Sequence, residues 1–309
     1  MLKMPMDVLE LFPVRKTKQQ KQVFRDAVCS YLQNLGYPVT IENGSLGSRN
    51  VVIGDPENAR YLITAHYDTP VRLLFPNFIT PCNAAVFFAS RLLQWFGIIL
   101  LASLIGAAGG LVLGPAWISP FCTAALFGVI AWMLFGPSNP ANANDNTSGV
   151  VTLLEIARTM PENLRGKVCF VLFDLEEMGL IGSDSYRKAH KNATEHQLVL
   201  NLDCVGDGDH MLMIPTKKLK KDKKQLTSLY KACGYWGKKS LLVKDTGFSV
   251  YPSDQRSFPY GVGICALQKG KCGLYLSKIH TPRDTSLDMT NVNILRAALT
   301  SFISCDAVN

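Results

Sequence analysis

The 309-residue chain carries 32 Lys and Arg against 24 Asp and Glu, a net charge of +8, and 48% of it is apolar, enough for one large domain, alone or with an insertion, around a sizeable core. The positive balance fits nucleic acid or an anionic membrane surface, but no helix-turn-helix, zinc-finger or RNP pattern is present, so no nucleic-acid partner is expected. Nine cysteines without a Cys-x-x-Cys read as reduced, mostly buried thiols of a cytosolic compartment.

The first 21 residues are not a signal peptide, because Lys3, Asp7, Glu10, Arg15, Lys16 and Lys18 interrupt any apolar core. The spacing of Val23, Ala27, Tyr31 and Leu35 predicts a helix over 18–35, ended by Gly36-Tyr37-Pro38. Strand-length runs follow at 39–41, 50–54 and 60–65, the first closed by the turn dipeptide Asn43-Gly44. The third run leads into His66-Tyr67-Asp68-Thr69-Pro70. His66 and Asp68, two apart at a strand end, share a side of the sheet. Imidazole is a common metal ligand and usually donates its second N–H to a carboxylate or carbonyl. An ordinary hydrogen-bonded pair has the same signature.

From Leu92 through Asn144 no side chain is charged. Two runs stand out, 95–114 and 117–136, each of 20 residues and each about 30 Å long as a helix, a bilayer's hydrocarbon thickness. Gly114-Pro115-Ala116 supplies the turn, Trp95, Trp117 and Trp132 lie near the run ends, and Ser103, Gly106, Ala107, Gly109 and Gly110 give a small-residue surface. The pattern predicts a transmembrane helical hairpin whose first helix begins near Ala84, with Arg91 at headgroup level. A soluble lid or dimerisation arm is the competing reading, but core helices rarely lack any charged face. The turn has no Lys or Arg while both flanks are rich in them, which places the flanking domain in the cytoplasm. Three segments result: the first part of a catalytic domain (1–80), the hairpin insertion (84–136) and the second part (140–309).

After the hairpin, Asn142 to Gly149 is polar, and Val150, Leu153, Leu154 and Ala157 then repeat at helical spacing. Asp145 or Asn146 would serve as a helix cap there. Asn146-Thr147-Ser148 and Asn192-Ala193-Thr194 match the glycosylation sequon but mean nothing in a cytoplasmic domain. The apolar run 168–172 ends in Phe173-Asp174-Leu175-Glu176-Glu177-Met178-Gly179, so two adjacent carboxylates sit at the rim where open α/β sheets bind ligands. Neighbouring side chains diverge, so one can hold a metal while the other faces water or substrate. Two solvated acids at a helix start are the plainer alternative. A helix is expected over 182–190 and a strand over 197–202 that ends at Asp203-Cys204-Val205-Gly206-Asp207-Gly208-Asp209. Strands are expected at 210–214 and 263–267, a loop with His280 at 277–285, and a last helix over 291–304. Lys217, Lys218, Lys220, Lys221, Lys223 and Lys224 form a basic run, a solvated helix start or a contact for anionic headgroups. His190, His196 and His210 have no such company and read as surface or filler.

Five motifs, AHYDTP (65–70), ANANDNTSGV (141–150), FDLEEMGLIGS (173–183), NLDCVGDGD (201–209) and SKIHTPRDT (277–285), occur in that order. In this the chain resembles metallopeptidase family 28, the di-zinc aminopeptidases and their relatives, everywhere outside 70–140. There a short loop gives way to the hydrophobic hairpin. The resemblance implies an α/β fold, a central mixed, mostly parallel sheet flanked by helices, and a site with two zinc ions. His66 and Asp203 would bind one ion, Glu177 and His280 the other, and Asp145 both, with a cis peptide to Asn146. Asp68 would orient His66, and Glu176 would be the general base. Two imidazoles and three carboxylates suit zinc, and paired metals activate a water and polarise a carbonyl. The implied function is membrane-anchored aminopeptidase action on peptide N-termini, with a carboxypeptidase, a glutaminyl cyclase-like enzyme or a non-catalytic membrane binding module as alternatives. Some relatives carry Tyr where Ile279 precedes the last ligand. Asp254 stands where relatives have a Ser-Asp pair, with no role assigned.

Overall fold

The computed structural model describes residues 2–74 and 77–306. Its strands are β1 (Val39–Asn43), β2 (Arg49–Ile53), β3 (Tyr61–His66), β4 (Val168–Phe173), β5 (Leu198–Leu202), β6 (His210–Pro215), β7 (Gly234–Trp236), β8 (Lys239–Val243), β9 (Gly261–Gly270) and β10 (Gly273–Tyr275). They form one sheet in the order β1-β2-β4-β3-β5-β9-β6-β8-β7, with β10 paired to β9. The centre, β4-β3-β5-β9, is parallel. Taken through all the pairings, β1, β3, β4, β5, β7 and β9 point one way and β2, β6, β8 and β10 the other.

The central strands are continuously apolar because both of their faces are covered. Tyr61, Ile63 and Ala65 of β3 join one buried cluster with Phe24 and Val28 of the helix Lys18–Asn34, Val150 and Leu154 of the helix Gly149–Thr159, and Leu295 and Leu299 of the helix Met289–Asp306. Leu62, one residue out of phase, joins Val171, Phe173, Tyr186 and Phe258 on the other face. Each such side chain contributes about 1.5–3 kcal/mol of burial. This sandwich fixes where β3, β4 and β5 end, and the candidate site residues follow those ends.

The expected elements appear within a few residues of their predicted bounds. β7, β8 and β10 do not emerge from the sequence: β7 and β10 have three residues each, too few for a period to register. The basic run forms two short helices, Lys217–Lys221 and Lys223–Leu229, with Lys218 reaching Glu195 at 3.2 Å and Lys220 reaching Ser249 at 2.8 Å. Of the nine cysteines only the free thiols Cys169, Cys204 and Cys265 are buried, against expectation, while Cys272 and Cys305 are exposed and the other four half-buried.

The inserted segment is two antiparallel helices, Ala84–Leu113 and Ile118–Phe135. Among the described residues these are long and apolar enough to cross a membrane. Asn83 caps the first by accepting from Val86 N–H at 3.2 Å, and Gly114, at φ 100°, ends it where a side chain would be strained. Large apolar side chains point outward all round, Leu111 being 89% exposed. The contact between the helices depends on absent side chains. A Cβ at Gly106 would collide with Cys122 Sγ and the Ile118 carbonyl, one at Gly109 with the Phe121 ring, and one at Gly110 with Ile118. At Gly128 there is open space. Gly106→Leu is therefore expected to lower hairpin stability by about 1–3 kcal/mol, and Gly128→Leu to leave it within about 0.5 kcal/mol, read from unfolding in detergent. Equal effects would refute this packing.

His190, expected to be filler, is an ion-pair centre. Its Nδ1 lies 2.5 Å from Glu57 and its Nε2 2.9 Å from Glu42, and its ring lies 4.4 Å from that of Tyr186. The partners lie 133 and 148 residues away in sequence, so no local pattern reveals them. Burial depresses the imidazole pKa, but Glu57 and Glu42 outweigh it and the net shift is upward. A raised pKa stabilises the fold fully below the unfolded value near 6.5 and stops doing so as pH rises through the folded value. His190→Gln should therefore cost at most about 1 kcal/mol near pH 6 and progressively less in alkali, read from denaturant midpoints. A cost that grows with pH would refute the pairing.

Candidate metal centre

Three of the five candidate ligands stand where a strand of the parallel centre has just run out. His66 is the last residue of β3, Glu176 and Glu177 follow β4, and Asp203 follows β5. Asp145 comes from the kinked segment before the helix Gly149–Thr159, and His280 from the loop before the last helix. Leu175, Cys204 and His280 have φ of 56°, 56° and 59°, a left-handed conformation that costs a side-chain-bearing residue energy and clusters at functional sites. The turns that aim Glu176 and Asp203 are thus held against local preference by their surroundings.

The structure brings all five expected ligands together in two overlapping sets. His66, Asp145 and Asp203 offer donor atoms within 4.8 Å of one another, as do Asp145, Glu177 and His280. His66 Nε2 is 3.4 Å from Asp145 Oδ1 and 3.8 Å from Asp203 Oδ1. His280 Nε2 is 3.0 Å from Asp145 Oδ2 and 3.6 Å from Glu177 Oε2. Each oxygen of Asp145 thus faces a different imidazole. Glu176 meets the first set through a third group, with His66 and Glu177. The Asp145-Asn146 peptide is cis.

The scaffold behind these groups is largely hydrogen bonds to backbone. Asp68 accepts from Glu176 N–H at 3.1 Å and Glu177 N–H at 3.2 Å, and its Oδ1 lies 3.4 Å from His66 Nδ1. One carboxylate therefore aligns an imidazole and both glutamates. Asn146 bridges β5 to its own loop: its Nδ2 donates to the Leu202 carbonyl at 2.9 Å, and its Oδ1 accepts from Gly149 and Cys204 N–H at 3.1 and 3.2 Å. Asp145 does not cap the helix; its role lies in the hollow. Asp174, first of the three acids after β4, is structural, with Lys21 Nζ at 2.7 Å.

Two supporting residues escape sequence reading. Asp284 accepts from Asn144 N–H at 2.9 Å and Asp145 N–H at 3.0 Å, so it holds the backbone of the shared acid. Its one signal is its place four residues past His280 in the same motif. Arg15, fully buried, donates to the Tyr67 carbonyl at 2.6 Å, the Phe12 carbonyl at 2.7 Å and Thr147 Oγ1 at 3.1 Å. Burial pulls its pKa down to about 10, while Asp68 and Asp145 oppose the fall.

In the chain alone the hollow holds an excess of negative charge. Burial, reinforced by Asp145, pushes Glu177 up to about 8 against the pull of His280. Burial and the neighbouring acids Glu177, Asp254 and Asp203 raise Glu176 well above its usual range, against His66. Asp254, wholly buried with neither carboxylate oxygen hydrogen-bonded, is raised to about 7, first by burial. Burial lowers His280, but Glu177 and Asp145 more than reverse this and lift it to about 9. Asp203 Oδ1 and the Nδ1 atoms of His66 and His280 are buried without a hydrogen-bond partner, an expensive state. A donor set of imidazole Nε2 atoms and carboxylate oxygens, with Asp203 Oδ1 buried beside His66 Nε2 and lacking a hydrogen-bond partner, fits zinc.

No curated protein matches the chain in sequence. In structure it is similar to a glutaminyl cyclase from Porphyromonas gingivalis (TM-score 0.60, 17% identity, 96% of this chain and 93% of that one). It is also similar to a Zn-dependent exopeptidase from Parabacteroides distasonis (TM-score 0.59, 18% identity, 94% and 92%). A third such structure is the LapA aminopeptidase of Legionella pneumophila (TM-score 0.55, 16% identity, 97% and 68%). These likenesses establish the zinc-exopeptidase fold. Residues 131–301, more than half of the chain, match the model of peptidase family M28. That stretch contains Asp145, Glu176, Glu177, Asp203 and His280, and the chain belongs to peptidase family M28.

Proposed function

We propose that this chain is a membrane-anchored zinc aminopeptidase. The observation that carries the reading is the position of Asp145, whose two oxygens face the imidazoles of two separate ligand sets. His66 and Asp203 would hold one ion, Glu177 and His280 the other, and Asp145 both. Zinc there would supply Lewis acidity toward a scissile carbonyl and lower the pKa of water. Asp68 keeps His66 and the Glu176-Glu177 turn in register. Glu176, beside both sets, takes a proton from the attacking water and returns it to the leaving amine. The surplus of buried carboxylates favours a substrate that brings a cation, which a free α-amine does.

The hairpin supports anchoring by length and composition, and the Lys- and Arg-free turn against basic flanks supports a cytoplasm-facing domain. The Porphyromonas gingivalis neighbour is a glutaminyl cyclase, so cyclase chemistry is the rival outcome of any assay. It would give pyroglutamyl product from N-terminal Gln with one ion bound, where the reading here requires two ions and released amino acids.

Aminoacyl chromogenic substrates and detergent-solubilised protein test this directly. Chelation should abolish turnover, and zinc should restore it. Glu176→Gln should lower kcat by about 10²- to 10⁴-fold with the metal content unchanged, and wild-type activity in that variant would remove Glu176 from its role. Asp284→Asn places an amide N–H₂ or leaves a missing acceptor against the Asn144 and Asp145 donors. It is expected to weaken metal retention about 10- to 100-fold in chelator competition with unaltered circular dichroism. Undiminished retention would show that Asp284 does not hold the shared ligand.

A further inference from the structure

The hairpin is tied to the candidate site at both ends. On the outgoing side, Leu73 N–H donates to the His280 carbonyl at 3.1 Å. On the returning side, Asn139 Nδ2 donates to the Thr281 carbonyl at 2.9 Å. The stems also clasp each other: Arg72 N–H donates to the Pro137 carbonyl at 3.0 Å, and the Trp132 indole N–H to the Arg72 carbonyl at 3.1 Å. Lys16 Nζ, from the segment beside Arg15, reaches the Leu134 carbonyl at 3.5 Å. A run of contacts therefore leads from Trp132 through Arg72 and Leu73 to His280.

The level of the water boundary follows from length. Arg91, the last charged residue of the first helix, is bound to the domain through Asn77 Oδ1 at 3.0 Å and the Phe78 carbonyl at 2.9 Å. Beyond it, residues 92–113 extend about 33 Å at 1.5 Å per residue. The second helix as far as Trp132, together with the tight helical turn Pro115–Trp117 that precedes it, spans about 28 Å. A hydrocarbon core of about 30 Å uses up both. The boundary must pass at Arg91 and Trp132, where an arginine and an indole are at home, and no spacer is left to lift the domain away.

Resting on the aminopeptidase reading above, we infer that the active site lies at headgroup level and takes its substrates there. It acts on the free N-termini of membrane-associated peptides, within a few residues of the bilayer surface. Exposed Arg72 and Arg283 and half-buried Lys16 put positive charge on the stem and the His280 loop, facing anionic headgroups. His280 is one hydrogen bond from the stem, so a substrate N-terminus need not leave the interface to reach it.

The test uses the full chain, zinc-loaded, in nanodiscs of zwitterionic and anionic lipid. Reporter peptides share one free N-terminal sequence and are either soluble or anchored by a C-terminal alkyl chain through spacers of increasing length. A soluble aminopeptidase added from the bulk corrects for the exposure of each N-terminus. The expected result is at least tenfold higher kcat/KM for anchored than for soluble peptide, relative to the control enzyme. Full turnover should persist at spacers of about 4 residues and decline as they lengthen, since an extended residue spans about 3.5 Å. Turnover that begins only beyond about 12 residues, roughly 40 Å, or that is equal for soluble and anchored peptides, overturns the placement while leaving the peptidase reading intact. No cleavage of any reporter, soluble ones included, overturns both.

Discussion

Asp145 is held buried between two imidazoles, one on each oxygen, and the candidate site is arranged around that carboxylate. It sits among Asp68, Glu177 and Asp203, deep enough that burial alone would favour its neutral form, yet the His280 and His66 imidazoles hold it ionised. Like charges this close, away from water, repel strongly. What keeps them together is backbone: Asp284 grips the two amides at Asp145, Asp68 grips the amides of both glutamates, and Asn146 staples the loop to the end of β5. The polypeptide contributes rigidity, and multivalent positive charge would supply the missing energy. In a site preorganised in this way, metal binding would be coupled to folding stability.

Much of this was legible from the chain. His66, Glu177 and Asp203 each follow a run whose apolar character marks a strand buried on both faces, and such strands end at a rim where ligands bind. His280 and Asp145 lie in loops where only a motif could single them out. The hairpin declared itself through the absence of charge. Arg15 and Asp284 were not legible as working parts. Their partners lie 52 and 140 residues away, and hydrogen bonds to a distant backbone leave no periodic trace in sequence. Asp174 and Glu176 look alike in the motif, and only Lys21, arriving from the helix Lys18–Asn34, marks Asp174 as a structural acid.

The hairpin is more than an appendage. It enters between the segment carrying His66 and the segment carrying Asp145, and its stems close on the loop that presents His280. Its glycine seam brings the two helices together where any larger residue would hold them apart. Two hydrogen bonds, to the His280 and Thr281 carbonyls, therefore tie the helical pair to the backbone of the loop that presents one of the candidate imidazoles.

The strand order has a further consequence during synthesis. β3 precedes the hairpin, while both of its neighbours in the sheet, β4 and β5, come after it. When the ribosome has made the first third of the protein, neither of the strands that flank β3 in the finished sheet exists yet. The helical pair leaves the exit tunnel next, so β3 waits through the synthesis of the whole hairpin before β4 and β5 arrive to flank it.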